Sequence, residues 1–177
     1  MAQNDAVQEL QRAQDALAKG DGIAAEAALR IAMERGASRE TIAASMGEAK
    51  MLQGNLAQAR RWLAPGRFVW SQKTYGFRML GRLEMKEGNL QAAARAFNRA
   101  LGANPESAAL WVDIGQLRYR AGEQIQAIAA VRQAVIYDPT NVTALSFQGQ
   151  IVRDANGPAA ALPWFARAHI HAPENVE

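Results

Sequence analysis

Residues 108–141 read AALWVDIGQLRYRAGEQIQAIAAVRQAVIYDPTN, two helical stripes separated by a glycine turn. Trp111, Ile114, Gly115 and Arg118 fall at i, i+3, i+4 and i+7, one face of a helix. Gly115 stands on that face where a neighbouring helix must come close. Gly122-Glu123 ends the helix, because glycine enters the left-handed conformation of a helix stop without steric cost. Ala127, Val131, Ala134 and Val135 form the second stripe, and the small residues at 127 and 134 allow tight contact. Asp138-Pro139 closes it, since a residue before proline is pushed out of the helical region. The unit is helix, turn, helix, turn.

That unit recurs through the 177 residues with a period of 34. Proline stands at 105, 139 and 173. One glycine column runs Gly47, Gly81, Gly115 and Gly149, preceded by Ala13. A second runs Gly20, Gly54, Gly88 and Gly122, then Asn156-Gly157. Alanine columns follow at Ala25, Ala59, Ala93, Ala127 and Ala161, and at Ala32, Gly66, Ala100, Ala134 and Ala168. Abundant alanine makes either alanine column weak alone, but five columns in one register are not accidental.

These columns resemble in part the tetratricopeptide repeat, whose pattern is an aromatic, a leucine–glycine pair, a tyrosine, then alanine, an aromatic, alanine and proline. Phe77, Leu80-Gly81, Ala93, Phe97, Ala100 and Pro105 carry it in the third unit. Trp111, Ile114-Gly115, Ala127, Val131, Ala134 and Pro139 carry it in the fourth, and Leu145, Gly149, Ala161, Phe165, Ala168 and Pro173 in the fifth. The resemblance implies an all-α, right-handed α-solenoid over 1–177, with repeats at 6–39, 40–73, 74–107, 108–141 and 142–175. Some positions depart from the pattern. Glu9 and Arg12 replace core residues in the first unit, as expected of a terminal repeat facing water. Ala64-Pro65-Gly66 should stop the second unit's second helix early, and apolar Arg67-Phe68-Val69-Trp70 should fold back into the gap. Pro158 suits a helix start, whereas Pro163 should distort the first turn.

Composition speaks against catalysis. Hydrophobic residues make up 49% and charged residues 21%, the balance of a globular chain. Cysteine is absent, which removes thiolate chemistry and Cys-based zinc sites. His169 and His171 lie two apart, about 200° around a helix, and cannot jointly hold a metal while it persists. Phosphate loops, nucleophile elbows and His-Glu-x-x-His are missing. Glu84 and Glu87 share a face with Arg82 and Lys86 nearby, and Glu26, Arg30 and Glu34 step by four; both read as solvated ion pairs. We therefore expect no enzyme, no metal and no cofactor.

What the resemblance implies is a protein-interaction scaffold whose first helices line a concave groove. Transferred to matching positions, that face holds Gln14, Leu17, Glu48, Met51, Tyr75, Arg78, Arg82, Met85, Val112, Gln116, Tyr119, Arg120, Ser146, Gln150 and Arg153. The ligand-binding candidates among them are Tyr75, Arg78, Arg82, Gln116, Tyr119, Arg120, Gln150 and Arg153. Arg78, Arg82, Arg120 and Arg153 would favour an acidic protein or peptide segment. The lysine–asparagine carboxylate clamp of chaperone cofactors is missing: its positions hold Leu10 and Gln14, Ala44 and Glu48, Arg78 and Arg82, Val112 and Gln116, Ser146 and Gln150. The asparagine ladder of sugar-transferase members is missing too, with Gln11, Ser45, Met79, Asp113 and Phe147 in its place.

The net charge of +3 concentrates in 40–107 without a polybasic run, so nucleic acid ranks below protein as a partner. No stretch reaches the roughly 18 apolar residues of a membrane span. The N-terminus has no signal-peptide shape, which points to the cytoplasm. Phe147, Ile151, Trp164, Phe165 and Ile170 are many apolar groups for one last hairpin. They suggest the N-terminal part of a longer chain, such as a non-catalytic region of a larger enzyme or assembly factor, or self-association through that hairpin.

Overall fold

The computed structural model describes residues 2–172, so Pro173 of the proline column lies outside the described residues. Ten α-helices follow one another among them: α1 (Ala2–Ala18), α2 (Gly22–Glu34), α3 (Arg39–Leu52), α4 (Leu56–Leu63), α5 (Lys73–Lys86), α6 (Leu90–Ala103), α7 (Ala108–Arg120), α8 (Gln124–Tyr137), α9 (Val142–Asn156) and α10 (Pro158–His171). They are antiparallel pairs, and the chain forms two compact units, Met1–Ala103 and Asn104–Glu177. In the first unit α3 packs on α1, α2 and α4, and α5 on α3, α4 and α6. In the second, α9 packs on α7, α8 and α10. This is the all-α solenoid architecture the period of 34 predicts.

The two glycine columns exist for two different reasons. Gly88 and Gly122 adopt φ of +82° and +77° with nothing near a would-be Cβ, so they are conformational glycines. Around Gly88 the Asn89 amide donates to the Glu84 carbonyl (2.8 Å) and that of Gly88 to Met85 (3.2 Å), which satisfies the last carbonyls of α5. The other column is steric. A Cβ at Gly47, Gly81, Gly115 or Gly149 would lie 2.4, 2.3, 2.8 and 2.8 Å from Leu63, Phe97, Val131 and Phe165 respectively. Each large residue follows its glycine by the same interval, and each pair closes one hairpin.

Buried charge, missed in the sequence, ties neighbouring hairpins in the first unit. Glu26 of α2 accepts from Lys50 Nζ (2.5 Å) of α3 and from Gln53 Nε2 (2.8 Å) just past its end, besides Arg30 of its own helix. One period on, Arg60 of α4 donates to Glu84 (2.9 Å) of α5 and to Glu87 just past its end. The second cluster is the first with its charges inverted, because Glu26 and Arg60 share one repeat position and Lys50 and Glu84 another. Glu84 is therefore buried and paired across hairpins, not solvated beside Arg82 and Lys86 as the spacing suggested. Arg60 and Asn89 hold its carboxyl below the usual range despite burial. Glu9 also departs from expectation: it is only 2% exposed, because Arg12 and Arg35 close on it at 2.8 and 3.0 Å.

Two further expectations divide. Helix α4 stops at Leu63 as predicted, and Phe68 folds back, edge-on to Phe77 at 5.2 Å and against Gly76. Trp70 does not follow it; it lies 79% exposed in a 3-10 turn, Trp70–Gln72. Pro158 starts α10 as expected, but the helix runs on through Pro163. Pro163 has no N–H to donate to the Ala159 carbonyl one turn back, and the helix continues without that bond. In the last hairpin Phe147 and Ile151 are buried against Ala127 and Val131, and Phe165 meets Gly149. Ile170 remains 71% exposed.

Candidate functional site

The first helices of the first unit bring several of the expected residues together. Gln14, Leu17 and Ala18 of α1, Glu48 of α3, Ser71 and Gln72 of the 3-10 turn and Tyr75 of α5 line a cleft of about 480 Å³. Tyr75 reaches it because Lys73 begins α5 and places residue 75 in the first turn. Its hydroxyl donates to Glu48, which also lies 3.6 Å from Arg82 Nη1. Burial, then the negative charge of Glu48, pushes the Tyr75 hydroxyl above its ordinary value of 10.0. Tyr75 is therefore a neutral donor at physiological pH. Arg78 and Arg82 continue the same helix, both half-buried.

In the second unit the expected residues occupy α7 and α9. Tyr119 stands edge-on to Phe147 at 5.8 Å, and its hydroxyl donates to Asp154 Oδ2 at 2.6 Å. That bond raises the tyrosine's proton affinity and lowers that of the Asp154 carboxyl. Arg153 reaches Asp154 at 3.2 Å. Gln116 is half-buried, while Gln150 and Arg120 are exposed. Three groove positions transferred from the resemblance are corrected here: Met51, Met85 and Val112 are buried. Val112 packs with Ala134 and Ala144 of the two following helices.

Arginine alone does not set the electrostatics. Glu48 neutralises part of Arg82, and Asp154 part of Arg153. The sequence reading placed Glu48 on the face without its role, and missed Ser71, Gln72 and Asp154 altogether. Ser71 and Gln72 fall in the connection after the shortened α4, outside any helical stripe, so no periodic signal could find them. Among the described residues no group of His, Asp or Glu could hold a metal ion, and no helix is long and apolar enough to cross a membrane. The surface offers hydrogen bonds and charge, the means of recognition.

The sequence model of the tetratricopeptide repeat matches residues 78–124 and 126–175, together more than half of the chain. The chain belongs to the tetratricopeptide repeat family. Its helical pairs are those of a protein-interaction scaffold. No curated protein matches the sequence significantly. Solved structures of the same fold do. The crystal structure of a thermophilic tetratricopeptide repeat protein of Thermus thermophilus has a TM-score of 0.74 at 21% identity, over 99% of this chain and 93% of that one. MamA (41-end) from Desulfovibrio magneticus RS-1 gives 0.60 at 17% identity over 98% of each chain. A chain of the APC/C hetero-tetramer Cut9–Hcn1 gives 0.74 at 17% identity, over 93% of this chain and 33% of that one. At these identities the likeness is one of fold.

Proposed function

We propose that this tetratricopeptide repeat protein binds an extended segment of a partner protein on the faces made by its first helices, without a catalytic step. The observation that carries the reading is the cleft of Gln14, Leu17, Glu48, Ser71, Gln72 and Tyr75, a preformed concavity of mixed apolar and polar lining beside Arg78 and Arg82. Amide, hydroxyl and carboxylate groups there suit a peptide backbone, with Glu48 accepting an N–H. Arg78 and Arg82 draw the segment's carboxylates, so the preferred segment is acidic at one end and neutral over Glu48. Helices hold these groups in place before binding, which limits the entropy lost on association. In the second unit Gln116, Tyr119, Arg120, Gln150 and Arg153 offer a comparable polar face.

The test is capture with the whole chain as bait, identification of the bound protein, and titration of its segment against wild type and the Arg78→Ala, Arg82→Ala variant. Binding should weaken while helical circular dichroism stays unchanged. Equal affinity for both proteins would retire the site.

A further inference from the structure

The 3-10 turn that sends Ser71 and Gln72 into the first cleft sends Trp70 the other way. Trp70, Lys73, Phe77, Arg99, Gly66, Gly102 and Ala103 line a second cleft of about 400 Å³ within the first unit. It exists because α4 is 8 residues long where α6 has 14, so the connection 64–72 must cover the missing turns. Phe68 performs that packing and is buried. Trp70 is thus a large apolar side chain that packing does not explain. Lys73 Nζ lies 4.4 Å from the centre of its ring. The Arg99 guanidinium carbon lies 3.9 Å from the centre of the Phe77 ring, a cation–π contact that holds the charge at the cleft. None of the described carboxylates pairs with Lys73 or Arg99. Gly102, with nothing within 4 Å of a would-be Cβ, leaves room for a chain to come against the backbone.

We propose that this cleft is a second binding site, distinct from the first-helix face, for an acidic peptide segment in which a carboxylate neighbours an aromatic side chain. The carboxylate accepts from the Arg99 guanidinium, Lys73 adds its charge, and the aromatic side chain lies on Trp70. Tryptophan and arginine are the residues that most often dominate such contacts. Single-stranded nucleic acid would need a run of stacking surfaces. Here one ring is open, because Arg99 covers Phe77 and Phe68 is buried.

The experiment uses the whole chain and fluorescein-labelled hexapeptides carrying two glutamates one to four positions from a phenylalanine. Controls are the same peptides with glutamine for glutamate, and a ten-residue oligothymidylate; fluorescence polarisation is the readout. At least one acidic peptide should bind wild type, and Trp70→Ala and Arg99→Gln should each weaken it by about tenfold or more. Glutamine peptides should lose binding comparably. In the Arg78→Ala, Arg82→Ala background Trp70→Ala should still weaken binding by the same factor, which separates this site from the first-helix face. Trp70 is exposed, so its removal spares the core, and circular dichroism verifies that both variants fold. Three results would overturn the proposal: no acidic peptide binding, binding by Trp70→Ala and Arg99→Gln or by the glutamine peptides equal to that of the acidic peptide on wild type, or tighter binding of oligothymidylate.

Discussion

Gly81→Ala and Gly102→Ala make the same chemical change and should move stability in opposite directions. A Cβ on Gly81 would lie 2.3 Å from Cε1, 2.5 Å from Cδ1 and 2.8 Å from Cζ of Phe97. Carbon contacts settle at about 3.5–4.0 Å, so the nearest atom intrudes by more than about 1 Å. Phe97 is 1% exposed and cannot swing into solvent. Overpacking of this kind costs about 1–3 kcal/mol, against a gain of about 1 kcal/mol for alanine over glycine inside a helix. The net expectation is a loss of about 1 kcal/mol. Gly102 sits on α6 with nothing within 4 Å, so only the propensity gain remains, reduced near the helix end to a few tenths of a kcal/mol. A shift of 1 kcal/mol moves the melting temperature of a chain this size by about 2–4 °C. Thermal melts followed by circular dichroism resolve that difference. The first hairpin supplies the rescue: Ala13 occupies the glycine position opposite Leu29, and both are fully buried. Phe97→Leu should accordingly cost less in the Gly81→Ala background than alone. A Gly81→Ala protein as stable as Gly102→Ala would refute the steric account of the column.

Two further outcomes follow from particular contacts. Lys50 foremost, with Gln53 and Arg30, lowers Glu26 from 4.5 to about 2, so its stabilisation is full above pH 4.5 and lost as pH falls through about 2. Urea midpoints over that window should fall more steeply for wild type than for Glu26→Gln, and parallel slopes would contradict the pairing. Gln148 carries a buried side-chain oxygen with no partner among the described residues, at a repeat position held by Met46, Leu80 and Ile114 elsewhere. Gln148→Leu removes that stranded acceptor and should raise stability by about 1 kcal/mol in a denaturant melt.

How much of this was legible beforehand depends on the range of each interaction. Steric columns announce themselves, because Gly81 and Phe97 must recur together wherever hairpins close, as Gly115 with Val131 and Gly149 with Phe165 also do. The conformational column at Gly88 and Gly122 is equally legible, since a helix stop is local chemistry. Tyr75 could be placed on a helix face by register, but not its bond to Glu48, which belongs to the preceding hairpin. Trp70 shared its apolar character with Phe68, and nothing in the run 67–70 said which would turn inward.

Period, helical pairing and the positions of close approach were thus set by the sequence alone, since each rests on backbone geometry repeated every 34 residues. Charge was decided by tertiary structure. Glu26 and Arg60 hold the same repeat position with opposite signs, and Lys50 and Glu84 answer them from the next hairpin. A periodic pattern describes what stays constant along a chain. An ion pair needs only complementary signs, so its members can invert together, and the repeat then shows no column to read.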